Sequence, residues 1–544
     1  MRTRVLSCWP AAILAAALGG CSPQPQPPNL LVVSVDTLRA DHLGAYGYSR
    51  PTSPFFDELA RSGTLFERAF VQVPGTLPSH MSMFTGLYPA QHGVYPPDSV
   101  LSAEIATLPE ILRRHGYRTG GFTEGGYIAG SFGFSRGFDA FDDEVVRTER
   151  AFEATLAKGF AFLDEVGEDE PFFLFLHTYA VHDPYEPPAE YRGLFWDDPI
   201  PDTFPPSGAN LVAVNRGRLA VTPEAVRYYE ALYDAGIRYV DDQLRRLWKR
   251  LQATGLDRRT VVVITSDHGE EFLEHGHLVH EQNYAETTHV PLLVLAPGRP
   301  GGGRVGALVE SVDLAPSLLD LAGIEAGAEG MAGRSWLRLL DDPAAAFRDT
   351  AYSESFVHPV RALVRLDPDA AELLHLLESR LPAAEEGHWI GREVRLDTFA
   401  EEVDLAAQSY RVARTLTVRD GERTLHTVDL LPESWAAFPL QLPAGLKRLR
   451  LSVPGCDVPS ALGLGRDRRC LGFRLKAPEM VSWELYELTA DPAEQHDLAA
   501  ARQEVVDRLS RDLAALSWQP VADAMQQMLT MEEEEELKAL GYLQ

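Results

Sequence analysis

Asn29 to Thr37 reads NLLVVSVDT, an apolar run of strand length that ends abruptly on an acid and a hydroxyl. Its β-branched content and lack of polar alternation describe a strand covered on both faces, as in a parallel sheet between helices. Three further runs repeat the pattern: Pro171 to His177 (PFFLFLH), Thr260 to Ser266 (TVVVITS) and Val290 to Ala296 (VPLLVLA). Helical spacing marks Ser53 to Arg61, Ile105 to His115, Glu149 to Val166, Pro223 to Thr254 and Val312 to Ala322, and Tyr117 to Thr123 is strand-like. This alternation predicts an α/β domain, a mostly parallel sheet sandwiched by helices. Asp36, His177 with His182, and Asp267-His268 then fall at the carboxyl ends of three strands, the edge where open α/β sheets bind ligands.

A second stretch supplies a candidate nucleophile. In Val73 to Val94 (VPGTLPSHMSMFTGLYPAQHGV), Pro74-Gly75 reads as a turn and Thr76-Leu77-Pro78-Ser79-His80 as the start of a helix. A hydroxyl there faces unpaired backbone N–H groups and the positive end of the helix dipole, a good place to meet an anionic ester. Alone, Thr76 and Asp36 could each be helix caps, and Asp267-His268-Gly269 a turn. As a set, two carboxylates, a hydroxyl and an imidazole can close around one divalent cation. The set Asp36, Thr76, Asp267 and His268 suits Zn²⁺ or Mn²⁺, with Ca²⁺ or Mg²⁺ as alternatives. The metal would activate Thr76.

The chain has 544 residues and a formal net charge of −29, from 50 basic and 79 acidic side chains. That balance argues against nucleic acid as a partner, and it repels an anionic substrate unless a metal or local cationic cluster reverses the sign. Residues 1–20 read as a signal peptide: Arg2 and Arg4 precede a short apolar run ending Leu18-Gly19-Gly20-Cys21. That ending resembles a bacterial lipobox, which implies export, a lipidated Cys21 and anchoring to a bacterial membrane facing the periplasm. Residues 21–29 form a Pro-rich tether, 30–358 the catalytic domain, 359–480 a β-rich insert or accessory region, and 481–544 a C-terminal α+β segment of the catalytic fold. Within the insert, His375 to Leu381 and Phe399 to Ala407 suggest helices, whereas Tyr410 to Leu430 and Leu440 to Val453 alternate as antiparallel strands do. Glu504 to Leu516 reads as a helix, and Glu532 to Glu536 as a solvated helix start. Cys456 and Cys470 are expected to form a disulfide, gaining about 3 kcal/mol from loop closure.

These motifs resemble the sulfatase family of the alkaline phosphatase superfamily. Sulfatases carry Cys/Ser-x-Pro-Ser-Arg followed by Thr-Gly; here Thr76-x-Pro78-Ser79-His80 leads to Thr85-Gly86. Asp267-His268-Gly269-Glu270, then His280, Tyr284 and Val290-Pro291, is similar to the second signature. His182-Asp183-Pro184-Tyr185 is similar to the segment that contacts the transferred group, and Val312-Asp313-Leu314 and Glu484-Leu485-Tyr486 to later landmarks. The departures carry chemistry. Threonine cannot become formylglycine, so that cofactor is not expected. His80 stands for the motif arginine, His280 for a lysine, Thr37 for the second Asp of the first pair and His268 for an asparagine. The family's Gly-Lys-Trp-His segment is replaced by Thr123-Glu124-Gly125-Gly126. The set Asp36, Thr76, Asp267, His268 is similar to the single-metal site of phosphoethanolamine and phosphoglycerol transferases of the superfamily, which use a threonine.

The resemblance implies a metal-dependent hydrolase of phosphate or sulfate esters, with a covalent Thr76 ester and with His80, His182 and His280 binding the anionic oxygens or protonating the leaving group. The ester could belong to a glycan, a lipid head group or a small molecule. Two rival readings stand beside it: a transferase, and a non-catalytic binding protein on the same fold. Gly133-Phe134-Ser135-Arg136-Gly137 matches Gly-x-Ser-x-Gly, but its flanks are not the required strand and helix. Of the lesser candidates, His275 and His277 could reach a second metal or be loop histidines, His289 is read as structural, Arg39 and Asp41 as pinning the loop under the metal, and His177 as a residue behind the site or a substrate contact, ranked below His182. Palmitate labelling of the protein in a bacterial host is expected to disappear in Cys21→Ser; labelling that survives the substitution refutes the anchor.

Overall fold

The structure is a computed structural model and describes residues 26–539, except 146–147, 168, 300, 356–359, 368–371, 381–387, 391–392, 399–401, 422, 433, 443–446, 457–470, 472 and 477–480. Its centre is the run that opened the sequence. Strand β1 (Asn29–Val35) is buried at all seven positions. Around it lie β2 (Thr64–Phe70), β3 (Arg118–Phe122), β4 (Ala140–Asp142), β5 (Phe172–Thr178), β6 (Thr260–Thr265), β7 (His289–Leu295) and β8 (Gly303–Glu310). The order across this eight-stranded sheet is β8-β2-β7-β6-β1-β5-β3-β4. All neighbours run parallel except β7, which is antiparallel to both β2 and β6.

Alternation of side chains along each strand divides the core in two. Leu30, Val32, Phe173, Phe175, Val261 and Val263 face helices α2 (Thr76–Thr85), α3 (Leu108–Arg114) and α6 (Leu314–Leu321). Leu31, Val33, Val35, Leu174, Leu176, Val262 and Ile264 face α1 (Pro54–Ala60), α4 (Ala151–Glu165) and α5 (Pro223–Thr254). Both faces are therefore dry, which is why these strands read as continuous apolar runs. The α/β sheet sandwiched by helices is as expected, and α5 has the limits expected of it. Three strands of this sheet escaped the sequence reading. β2 carries the half-buried Glu67 and Arg68 in its middle, β8 includes two glycines, and β4 has only three residues; all three pair towards the sheet edges.

A second eight-stranded, antiparallel sheet is built from β9 (Thr350–Glu354), β10 (Val360–Asp367), β11 (Glu372–Arg380), β12 (Glu393–Thr398), β13 (Arg414–Asp420), β14 (Arg423–Leu430), β15 (Lys447–Ser452) and β16 (Val481–Glu487), in the order β9-β10-β11-β16-β12-β15-β13-β14. A four-stranded sheet from residues 388–390, 402–409, 436–441 and 473–476 packs on its far half, enclosing Leu405, Leu416, Val418, Phe438, Leu449 and Phe473 in a sandwich core. The helices expected at His375–Leu381 and Phe399–Ala407 are strands instead: Glu372–Arg380 and Glu402–Ser409. In the first, Leu374, Leu376 and Leu377 mix two faces that are both covered, so the apolar pattern resembles a helical one. The limits expected at 358/359 and 480/481 fall within this continuous sheet. Cys456 is disulfide-bonded, while Cys470, like residues 1–25, lies outside the described residues. Among the described residues, no helix is long and apolar enough to cross a membrane.

One contact ties α5 to the elements beneath it. The buried carboxylate of Asp241 accepts the backbone N–H groups of Phe55 (2.9 Å) and Phe56 (2.7 Å), closing the N-terminus of α1. Asp241→Ala leaves both donors buried and unpaired, and should lower stability by about 1–3 kcal/mol, read as a fall in melting temperature; an unchanged melt contradicts that role.

Candidate active site

Strand register assembles the site. Ser34 of β1 lies opposite His177 of β5 and opposite Thr265 of β6. The residues that follow, Asp36 on one strand and Ser266-Asp267-His268 on the next, therefore emerge side by side at the carboxyl edge. The chain then turns sharply: Thr37 sits in the left-handed region at φ 55°, a strained conformation for a β-branched residue. Its neighbours pay for it with hydrogen bonds. The Tyr233 hydroxyl of α5 donates to Thr37 O (2.7 Å) and accepts from Arg39 N (2.9 Å), Leu38 N donates to Ser266 Oγ (2.9 Å), and Thr37 N to Asp267 Oδ1 (3.3 Å).

Helix α2 brings the nucleophile. Thr76 is its first residue, after the extended Gly75, and all ten residues of the helix are buried. Thr76 Oγ1 lies 3.3 Å from Asp36 Oδ2 and 3.3 Å from His268 Nε2. Ser79, one turn on, donates to the Asp267 carbonyl at 2.7 Å, which fixes the helix against the β6 turn. Gly269 has no room for a side chain, since a Cβ would stand 1.9 Å from the Glu286 carbonyl. Arg39, buried, reaches Glu270 O (2.9 Å) and pairs with Asp41 (2.8 Å), so the loop under the site is pinned as expected.

The donor set fits a divalent cation. Ligand atoms of Asp36, Asp267 and His268 lie within 4.8 Å of one another. Asp36 Oδ1 and Asp267 Oδ2 are buried with no hydrogen-bond partner, an expensive arrangement for two carboxylates unless a cation lies between them. His268 Nδ1 donates to Gly269 O at 2.9 Å, so its Nε2 lone pair points at the same space. Burial pushes that imidazole down to about 4, leaving it neutral and able to ligate. Burial and then the charge of Asp267 push Asp36 well above the usual carboxylate range. Burial also works against Asp267, but the imidazoles of His268, His80 and His177 outweigh it and hold that group low.

The remaining imidazoles separate into two tiers. His182 and His280 lie beside the candidate metal ligands, with ring centroids 5.4 Å apart and His280 4.3 Å from His268. His182 Nδ1 donates to Asp183 O (2.8 Å), and His280 Nδ1 meets Glu270 Oε1 (3.2 Å). Burial pushes His280 down to about 4 and Glu270 up to about 7. His80 lies behind Thr76 instead. Its Nδ1 donates to Thr76 O (2.9 Å), its Nε2 accepts from Ser34 Oγ (2.9 Å), and burial keeps it neutral. His177 is behind the site as well, with Nε2 3.2 Å from Asp36 Oδ2. Neither Ser34 nor Tyr233 was singled out from sequence. Ser34 had a signal, as the polar residue of an apolar strand spaced two from Asp36.

The other candidates are elsewhere. His275 stacks on Tyr284 and bonds Glu286 (2.6 Å), His277 pairs with Glu281 (3.2 Å), and His289 Nε2 donates to Glu67 O (2.9 Å). Ser135 sits in a turn after a short 3₁₀ helix, without a nucleophile elbow. A second acidic grouping, His42, Glu230 and Asp234, is already neutralised, because Asp234 accepts from Arg50 (2.7 Å), Tyr48 (2.8 Å) and His42 (2.7 Å).

Comparison with known proteins follows this geometry. A family model described as Sulfatase matches residues 28–324. Delta 4,5-hexuronate-2-O-sulfatase of Bacteroides thetaiotaomicron is 28% identical over 354 residues, covering 58% of this chain and 73% of that protein. Human arylsulfatase K is 25% identical over 373 residues, covering 59% and 69%. Among solved structures, one in complex with its substrate D-glucosamine-2-N,6-O-disulfate superposes with a TM-score of 0.61 at 16% identity, covering 95% of this chain and 98% of the other. The phosphonate monoester hydrolase of Agrobacterium radiobacter gives 0.56 at 18% identity, covering 90% and 94%.

Asp36→Asn removes one of the two facing carboxylates. The variant should bind about tenfold less divalent metal or lower still, measured by elemental analysis, with its metal-free melting temperature equal or higher; full metal content would show that the cation does not sit here.

Proposed function

The chain belongs to the sulfatase family, and from that premise we propose that it cleaves monoanionic phosphate or sulfate esters with Thr76 as nucleophile. It is a hydrolase acting on sulfate or phosphate esters. The observation that carries the finer reading is the position of Thr76 Oγ1, 3.3 Å from both Asp36 Oδ2 and His268 Nε2. Asp36, Thr76, Asp267 and His268 would hold one divalent cation, with Zn²⁺ or Mn²⁺ favoured by the O₃N donor set. When bound, that cation lowers the pKa of the Thr76 hydroxyl and offsets charge on the ester oxygens.

The protein's own groups do the rest. Asp36 Oδ2 takes the Thr76 proton by its hydrogen bond, and Oγ1 attacks phosphorus or sulfur in line. As the new Oγ1 bond forms, the ester bond breaks on the far side, and the leaving oxygen takes a proton from His280 of the outer pair His182 and His280, a proton that Glu270, hydrogen-bonded to His280 Nδ1, replaces. Water then attacks the same centre and gives its proton to His280 and so back to Glu270, while the Oγ1 bond to the centre breaks and Thr76 takes its proton back from Asp36. His80 holds the first turn of α2 through Thr76 O, a positioning role that replaces the anion contact its motif position suggested. Formylglycine chemistry is closed to this site, because the β-carbon of Thr76 carries a methyl group and cannot yield the aldehyde.

The substrate class follows from charge. The imidazoles of His80, His177, His268 and His280 are pushed down by burial, so these four rings bring no permanent positive charge to the centre. Two carboxylates and one divalent cation leave it close to neutral. Such a site favours a monoanion, such as a sulfate monoester, phosphodiester or phosphonate monoester, over a dianionic phosphate monoester. The hexuronate sulfatase relative supports a sugar as the alcohol component. Export and tethering through a lipidated Cys21 complete the reading.

Thr76→Ala should lose about a thousandfold or more in kcat/KM while keeping its melting temperature, and Thr76→Ser should keep part of the activity. Full turnover by Thr76→Ala sinks the mechanism. Aryl phosphodiester, aryl sulfate and aryl phosphate assayed side by side test the charge argument, which fails if the dianionic phosphate is the best of the three.

A further inference from the structure

We propose that Glu494 is a positioning residue: it closes the loop that carries His280, and so makes the second sheet part of the candidate active centre. Two bonds define the closure. The Glu494 carbonyl accepts from His275 Nε2 (3.1 Å), and its carboxylate accepts from the backbone N–H of Ala285 (2.6 Å). His275 lies five residues before His280, and Ala285 five residues after it. One residue thus gathers both ends of the loop, with His280 at its midpoint. The ends also grip each other: His275 Nδ1 meets Glu286 Oε1 (2.6 Å), and its ring stacks on Tyr284 with centroids 3.6 Å apart. Both ring nitrogens of His275 face acceptors, so the ring donates from both as an imidazolium. Burial works against that charge, but the bond to Glu286 outweighs it and pushes the ring up to about 9.

Glu494 is held in turn from the second sheet. Its Oε1 accepts from His375 Nδ1 of β11 (2.6 Å), and both residues are buried. A buried acid paired with an imidazole is often no more stabilising than apolar packing in the same space. Glu494 also sits in the left-handed region at φ 52°, a costly conformation for a residue with a side chain. Strain and a buried acid are therefore concentrated on the one residue that both loop ends reach. Three more bonds join the loop to the same sheet after His280. Ser355, just beyond β9, donates to Glu281 O (3.2 Å), Asn283 Nδ2 to Ser353 Oγ of β9 (3.0 Å), and the Tyr284 hydroxyl to Glu484 Oε2 of β16 (2.8 Å). Before His280, Asn215 holds both backbone groups of Leu278 (2.9 and 2.8 Å).

The consequence concerns the leaving group. A proton donor serves the departing oxygen only within hydrogen-bond reach, and a misplacement of about 1 Å can cost about a hundredfold. Protonation matters for a poor leaving group and hardly for a good one. Loosening the loop should slow esters of weakly acidic alcohols and leave those of acidic phenols alone. That last link rests on the hydrolase reading above; the closure of the loop does not.

The test uses the full-length protein with Glu494→Ala, which removes the acceptor for Ala285, and with His275→Phe, which keeps a ring on Tyr284 and removes both donors. Melting temperature checks that each is folded. The substrates are methyl 4-nitrophenyl phosphate and methyl phenyl phosphate, with 4-nitrophenyl sulfate and phenyl sulfate as the sulfur pair. We expect kcat on the phenyl ester to fall about tenfold or more in each variant, with KM and turnover of the 4-nitrophenyl ester unchanged. An equal fall on both leaving groups, or no fall on either, overturns the proposal. Backbone hydrogen exchange is read on the same proteins. Faster exchange over residues 276–284 in the variants, in a protein that cleaves none of these esters, upholds the closure and removes the hydrolase reading instead. Unchanged exchange over that loop overturns the proposal.

Discussion

Two buried carboxylates, Asp36 and Asp267, face each other at the end of adjacent strands, each with an oxygen that no protein donor satisfies. This is the constraint the rest of the structure serves. Isolated carboxylates in such a place would protonate or draw in water. Here they are held apart and in line by backbone that cannot relax. β1 is locked on both sides by parallel neighbours, and the turn after it is stapled by Tyr233, Ser266 and Arg39. A strained Thr37 is tolerated because those bonds over-determine it. The result is a preformed space of fixed size, lined by oxygen and one imidazole lone pair, whose donor set could hold a cation.

Much of this was legible in the sequence because the elements that build it are buried on both faces. A strand such as NLLVVSV or TVVVITS has one reading, and its first polar residue marks the sheet edge. The long helix Pro223–Thr254 was equally plain, from its amphipathic spacing and its terminal proline and glycine. Legibility failed where burial was partial. β2 interrupts its apolar run with the half-buried Glu67 and Arg68, and β11 alternates leucines so densely that periodicity cannot tell strand from helix. In the candidate site, residue type pointed to Asp36, Thr76, Asp267 and His268, because each sits at a secondary-structure boundary, and the fold brings the four together. Direction was not readable. That His80 turns inward to Ser34 and Thr76 O, rather than toward an anion, depends on how α2 is rolled against β1, and only the assembled packing fixes that roll.

The two tiers of imidazole have different physics. His80 and His177 form the lower tier, packed edge to face with ring centroids 5.0 Å apart among phenylalanines and tyrosines. There the cost of charging a ring exceeds anything a nearby carboxylate returns, so both act as neutral hydrogen-bonding spacers. His182 and His280 form the upper tier, where an acid partner accompanies each: Asp183, pushed up to about 6 by burial, and Glu270, pushed up to about 7. Between His280, pushed down to about 4, and Glu270 the proton therefore rests on the carboxyl, with the imidazole beside it as the route along which it can move.

His80 and His280 are imidazoles that burial pushes down, and this sets what the centre can stabilise. A fixed cation contributes the same charge to ground state and transition state alike, and it binds a dianion well before any chemistry has occurred. Neutral imidazoles contribute little until charge develops on a neighbouring oxygen, when a donated proton becomes valuable. Only stabilisation that grows along the reaction accelerates it. A centre of carboxylates and neutral rings therefore gives up uniform binding of the anion, and needs some other source of affinity for its substrate. An enzyme with a net charge of −29 needs that source all the more.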